Sequence, residues 1–280
     1  MPFARAAGAL GRSSHPGPTL VVTVLAAVLG IAAGLDAGRL ALLSAAVLFG
    51  QLSVGWSNDA IDAPRDRAVG RADKPIARGE ITGAAVWIAA AAAVVAAAAL
   101  SALLGPVFLA VHLIAIASAW AYNALLKNTA ASVASFVLSF GLFPSLATLA
   151  GVAPVFAAPW ASVAGAALGV AVHFTNVLPD LDDDARTGVR GLPHRLGGRA
   201  SALLAFAAVA VGAAAVLAGP LLAGAPLRPA AIVGVVLVTA VAAVGVARAL
   251  RHPDRIVFRL VMLAALLLVV QLAVTGVGVS

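Results

Sequence analysis

"WSNDAIDAPRDRAVGRADKP", Trp56–Pro75, sets Asp59, Asp62, Asp66 and Asp73 beside Arg65, Arg67, Arg71 and Lys74 in a chain that is only 10% charged. The sequence around it is almost all hydrocarbon: 62% of the 280 residues are apolar, and mean hydropathy is +1.07. That leaves too little polar surface to cover a water-soluble globule, which marks an integral membrane protein. Apolar runs of the roughly 20 residues a bilayer requires recur at about 18–36, 39–57, 81–104, 106–125, 130–151, 155–178, 200–222, 228–250 and 256–278. The expected fold is therefore all-α, a polytopic bundle of about nine transmembrane helices forming one domain over 1–280. Ala and Gly dominate the runs, which suits close helix approach in lipid.

The net charge of +7 does not point to nucleic acid, because the basic residues lie between spans instead of on one solvated face. They report topology. With the N-terminus inside, Arg5, Arg12, Arg65 to Arg78, Lys127, Arg186 to Arg199 and Arg248 to Arg255 all fall on the cytoplasmic side of a cell membrane. Arg39 and Arg228 fall outside, an asymmetry that follows the positive-inside rule. The basic start and apolar run of the first 36 residues resemble a secretion signal, but the run is long and eight spans follow, so it is read as a retained helix. There is no cysteine, hence no disulfide, thiolate nucleophile or Cys–zinc site.

A second acidic stretch, "HFTNVLPDLDDDARTGVRGLPHRLGG", His173–Gly198, carries Asp180, Asp182, Asp183 and Asp184. Offset by 118 residues, the two stretches match at Asn58/Asn176, Asp62/Asp180, Asp66/Asp184, Gly70/Gly188, Pro75/Pro193 and Gly79/Gly197. This is the mark of an internal duplication, giving two related halves. The copies lie four spans apart, an even number, so both emerge on the same membrane face and can oppose each other as cytoplasmic loops over about 58–80 and 179–199.

The shared pattern, Asn-x3-Asp-x3-Asp, stacks oxygens along one helical face. Pro64 and Pro179 are each expected to kink or end their helix. On a helix Asp180 and Asp184 lie one turn apart, whereas Asp182 is about 200° round from Asp180, so Asp182 is expected to face away. Carboxylates and amides without His or Cys suit a hard cation, and Mg²⁺ binds through one or two carboxylates plus substrate phosphates. Two facing clusters would hold metal ions with a diphosphate between them, and Arg71, Lys74, Arg78, Arg190 and Arg195 would contact the phosphates. An ion or solute transporter using the two Asp motifs as a cation site is the alternative these features leave open.

These motifs together resemble the UbiA superfamily of intramembrane aromatic prenyltransferases. "NDAIDAPRD" is similar to the first family signature, NDxxDxxxD, through Asn58, Asp59, Asp62 and Asp66. "DLDDD" is similar to the second, DxxxD, through Asp180 and Asp184, and "YNALLK" resembles a third piece through Tyr122 and Lys127. Lys74 stands where the family commonly has Arg, which keeps the charge but loses the bidentate fork. The resemblance implies a bundle around a central cavity open to membrane lipid, in which a polyprenyl group passes from its diphosphate to a hydrophobic or amphipathic acceptor. It implies Mg²⁺ on Asp59, Asp62, Asp66, Asp180 and Asp184, with Asn58, Arg71, Lys74, Asn176 and Arg190 at the diphosphate. Asp62, Asp66, Asp180, Asp184, Tyr122 and Lys127 would be the catalytic residues, with Tyr122 contacting the allylic cation or the diphosphate.

The other aromatic and imidazole residues are read as structural. Trp56, Trp87, Trp120 and Trp160 lie near span ends as interfacial aromatics. Phe136, Phe140 and Phe143 recur at near-helical spacing and are read as packing before tunnel lining, and His15, His112, His173, His194 and His252 show no ligand spacing.

Overall fold

A backbone in hydrocarbon must satisfy its polar groups within itself, and the apolar runs accordingly become helices. The computed structural model describes residues 2–178, 190–224, 226, 229–251 and 255–275. Among them the regular elements are α1 (Pro2–Ser13), α2 (Pro16–Ala32), α3 (Ala37–Ala68), α4 (Gly83–Leu104), α5 (Pro106–Ala121) continued by a π-helical turn (Tyr122–Leu126), α6 (Ser132–Leu149), α7 (Pro159–Val177), α8 (Leu192–Leu222), α9 (Pro229–Arg251) and α10 (Arg255–Thr275). Among the described residues eight helices are long and apolar enough to cross a membrane, and α1 with α2, bent by 66°, forms a ninth candidate.

The boundaries follow local chemistry. Pro16, Pro106 and Pro159 open their helices, where a missing N–H costs nothing. The side chains of Asp36 and Thr82 accept from the backbone N–H of Arg39 and Ala85, capping α3 and α4. Two expectations need correction. The first acidic motif is not on a loop: α3 runs through Pro64 to Ala68, so the loop foreseen from about 58 begins only after the motif ends. Pro64 does not end α3, which continues for one further turn to Ala68, although Pro64 cannot donate to the carbonyl four residues before it. Likewise α8 begins at Leu192, with a bend at Gly197 (φ 80°), so the end of the loop foreseen over 179–199 is already helical. Asp180, Asp182, Asp183 and Asp184 lie outside the described residues.

Consecutive helices pack side by side, and α10 closes the bundle against α7, α8 and α2. In chain order α6, α7, α8 and α9 follow α2, α3, α4 and α5 at intervals close to the 118 residues that relate the two motifs. The duplication therefore extends from the motifs to the four-helix units that carry them. Small residues let the backbones touch. A Cβ at Gly165 or Gly169 on α7 would strike the carbonyl oxygens of Phe140 and Phe136 on α6. Buried Leu29, Leu43, Val47, Phe108, Leu146, Leu149, Phe206, Val209 and Leu268 fill the interior, while Leu20, Val21, Ile31, Ile88, Val95 and Leu103 face outward, as lipid-facing residues should.

Candidate active site

Asn58, Asp59, Asp62 and Asp66 occupy the last turns of α3, and the bundle removes the three carboxylates from water: Asp59 is 1%, Asp62 8% and Asp66 2% exposed. A buried carboxylate needs a counter-charge. Lys74, reaching back from the α3–α4 connection, places Nζ 2.8 Å from Asp59 Oδ1. Lys127 donates to Asp62 Oδ1, Arg65 Nη2 lies 3.3 Å from Asp62 Oδ2, and Arg65 Nε is 3.9 Å from Asp66. Burial pushes the Lys127 ammonium below its ordinary pKa, opposed by the charge of Asp62 and the hydrogen bond to it.

A π-helical turn links Tyr122 to Lys127. Lys127 N–H bonds to the Tyr122 carbonyl at 3.0 Å, an i→i+5 link that brings residues five apart nearly in line, which an ordinary α-helix would not do. Tyr122 is edge-on to Phe136 (centroids 5.0 Å apart) and to His173 (5.9 Å). Between them, Asn123 Nδ2 donates to Val54 O and Ser57 Oγ, each at 3.0 Å, while its Oδ1 accepts from Asn58 Nδ2 at 3.2 Å. Asn123 thus clamps the head of the acidic motif.

A cavity of about 270 Å³ opens beside this polar end. Asn58 from α3 and Asn176 from α7, equivalent positions of the two halves, both line it, as do Tyr122 and Asn123. Phe136, Phe140 and Phe143 line it as well, with Phe136 and Phe140 stacked at 6.3 Å. The reading of these three as plain packing is corrected: their near-helical spacing puts them on one face of α6, and that face borders space.

Not every foreseen phosphate contact gathers here. Arg71 is exposed and bonds Asp73 through Nε and Nη2, both at 2.8 Å, which holds the Asp73 carboxyl down at about 2. Arg190 is exposed, and its carbonyl accepts from Arg195 Nε at 3.0 Å. Gly191 next to it packs so tightly on the Lys127 carbonyl that a Cβ would lie 2.5 Å from that oxygen, so the start of α8 adjoins the segment after the π-helical turn.

Three residues at the site escaped the sequence reading. Asn123 was in plain view inside "YNALLK". His15, at the α1–α2 bend, lines the cavity with Nε2 3.3 Å from Lys74 Nζ and 4.0 Å from Asp59. Lys74, at 2.8 Å, is the counter-ion of Asp59, and His15, at 4.0 Å, is a polar neighbour. His112, deep in the wall, is the third. Nothing in their sequence spacing distinguishes these two from the remaining histidines. Two tryptophans also do more than mark an interface: Trp56 Nε1 donates to Leu10 O at 2.9 Å, and Trp120 Nε1 to Ser53 Oγ at 3.3 Å.

The donor set fits a hard divalent ion. Asp59 Oδ2 is buried without a hydrogen-bond partner, an acceptor that burial makes costly unless a cation meets it. Among the described residues no three His, Asp or Glu side chains are gathered tightly enough to hold a metal unaided.

Comparison with known proteins agrees with this geometry. The chain is similar in structure to an apo UbiA homolog from Aeropyrum pernix K1 (TM-score 0.74, 20% identity, 91% of this chain and 96% of that one). It is also similar to a digeranylgeranylglyceryl phosphate synthase (0.73, 15%, 97% and 99%) and to a UbiA homolog from Archaeoglobus fulgidus bound to GPP and Mg²⁺ (0.71, 17%, 94% and 97%). At these identities the likeness concerns the fold. No curated protein matches in sequence. The model of the UbiA prenyltransferase family, however, matches residues 19–267, nearly the whole bundle, which sets the transporter reading aside: the chain is a membrane prenyltransferase and belongs to the UbiA family.

Proposed function

We propose that the enzyme transfers a polyprenyl group from its diphosphate to a hydrophobic or amphipathic acceptor, aromatic or lipid-precursor, in a reaction that requires Mg²⁺. The observation that carries this reading is the junction of two unlike environments: a cavity walled by Phe136, Phe140 and Phe143 reaches Asn58, the head of a helical motif whose next three acidic side chains, Asp59, Asp62 and Asp66, are buried. A hydrocarbon chain ending in a diphosphate has the same two-part character. Two of the structural relatives are described as bound to GPP and Mg²⁺ and to DMAPP and Mg²⁺, which supports the same assignment.

Three carboxylates and a diphosphate repel one another unless cations stand between them. Asp59, Asp62 and Asp66, with Asp180 and Asp184 of the second motif, would hold the ion; once bound, it would neutralise charge developing on the leaving oxygens. Lys74 and Lys127 orient the carboxylates they touch, and Asn58 and Asn176 are assigned to the diphosphate; Arg71 and Arg190, which lie outside the cavity lining in this structure, would reach it only by turning inward. As the C1–O bond of the donor breaks, its electron pair leaves with the diphosphate. The Tyr122 face stabilises positive charge at C1 until the acceptor's nucleophilic atom bonds there and gives up its proton to the released diphosphate or to water. The motif end is assigned to the cytoplasmic face of the cell membrane, on the distribution of Arg and Lys.

The test is direct. Purified protein in lipid vesicles, given Mg²⁺, polyprenyl diphosphates of several lengths and a panel of acceptors, should release diphosphate and yield a product heavier by the prenyl group. Absence of both from folded protein across the panel would overturn the reading.

A further inference from the structure

The structure assigns His112 a task beyond the diphosphate chemistry: we propose that its Nε2 recognises a neutral hydroxyl or N–H group at the far end of the acceptor. The inference rests on the prenyl-transfer reading and concerns which acceptor that site selects.

His112 is 4% exposed and lines the cavity from α5. Its tautomer is set by a neighbour. Ser101 Oγ donates to the Ala97 carbonyl at 2.6 Å, which uses the hydroxyl's one proton. The contact of 2.8 Å between Ser101 Oγ and His112 Nδ1 must therefore run the other way, with Nδ1–H donating. In the neutral ring this leaves Nε2 with a bare lone pair, on the edge turned away from α4. No hydrogen bond to Nε2 is made by the described residues, although Gln51 lines the same cavity. Space for this edge is provided by α3, where a Cβ at Gly50 would come within 2.9 Å of Nε2.

Position narrows the ligand. His112 lies ten residues before Tyr122 on one continuous helical run, about 15 Å away at 1.5 Å per residue, and Gly50 lies about 12 Å from Asn58 on α3. The polyprenyl diphosphate has its charged end at the Asp motif. A prenyl tail passing His112 would seal the Nε2 lone pair against hydrocarbon, which is unfavourable for a buried acceptor. An acceptor molecule removes that conflict. Its nucleophilic atom must approach C1 to about 3–3.5 Å, and a body of one or two rings then spans the remaining distance to Nε2. Since Nε2 can only accept, the group that meets it must be a donor. An ionised carboxylate or phosphate would present lone pair to lone pair.

The experiment uses full-length protein in lipid vesicles with Mg²⁺ and a non-cleavable polyprenyl thiodiphosphate. Binding of three one-ring probes is measured: 4-(hydroxymethyl)phenol, its methyl ether 4-(methoxymethyl)phenol, and 4-hydroxybenzoate. The wild type should bind the first roughly ten- to a hundredfold more tightly than the other two, the range for a hydrogen bond to a buried acceptor. His112→Phe should abolish that preference while binding the thiodiphosphate as the wild type does, which also shows that it is folded. His112→Gln, whose Oε1 can accept in place of Nε2, should restore part of it. Absence of preference in the wild type, including failure to bind any probe, overturns the proposal, as does a preference that survives in His112→Phe or a His112→Phe that loses the thiodiphosphate. Failure of the wild type to bind the thiodiphosphate at all would instead count against the prenyl-transfer reading.

Discussion

The Lys74 ammonium lies 2.8 Å from Asp59 Oδ1, while Oδ2 of the same carboxylate is buried without a partner. One side chain from a connection thus holds a charge that a membrane-spanning helix cannot solvate. Removing Lys74 leaves that charge uncompensated, and breaking a buried pair from one side costs about 3–5 kcal/mol. Lys74→Met is therefore expected to lower the thermal unfolding midpoint clearly, and Lys74→Arg much less. An unchanged midpoint for Lys74→Met would show that Asp59 is hydrated after all.

Gly55 sets the seat of the α1–α2 bend. Its added Cβ would strike the Ser14 carbonyl, one residue before His15. Gly55→Ala should cost about 1–3 kcal/mol by overpacking and weaken donor binding by shifting His15 away from Lys74. Thermal unfolding and the KM for polyprenyl diphosphate would report the two effects, and normal values for both would mean that the bend yields freely.

Asn123→Leu removes two donors and one acceptor from a residue 4% exposed; Val54 O keeps its bond from Ser57 Oγ, but Asn58 Nδ2 loses its acceptor. A stranded buried group costs about 1–3 kcal/mol. The variant should be less stable and bind donor more weakly, as judged by unfolding and by titration with the thiodiphosphate.

For metal dependence, turnover is expected to vanish in excess chelator and return with Mg²⁺ or Mn²⁺, since the proposed ligands are all oxygens. Full activity in chelator would reject the mechanism.

Within the second motif, Asp180→Asn and Asp184→Asn should lower turnover roughly a hundred- to thousandfold, the loss of several kcal/mol of leaving-group stabilisation. Asp182→Asn should retain most of it. Equal inactivity of Asp182→Asn and Asp180→Asn, at matched expression and folding, would mean that the register of the first motif does not carry over.

Chain composition alone determined the solvent, and from it the all-helical class, because long apolar runs have one way to satisfy their backbones in lipid. The 118-residue offset likewise led to the expectation that two acidic segments share a membrane face, since an even number of spans lies between them. Both are properties of order along the chain. Only tertiary structure decided that Asp59, Asp62 and Asp66 are buried and met by Lys74 and Lys127. It also decided that Phe136, Phe140 and Phe143 border a cavity, and that a π-helical turn aligns Tyr122 with Lys127. His15 and His112 become site residues only when α2, α4 and α5 are laid against α3. Hydropathy and spacing describe what a side chain is and which face of its own helix it takes. What faces it depends on how neighbouring helices approach, and in this bundle that is set at close contacts such as Gly50, Gly55, Gly165 and Gly169, where the absence of one carbon determines the fit.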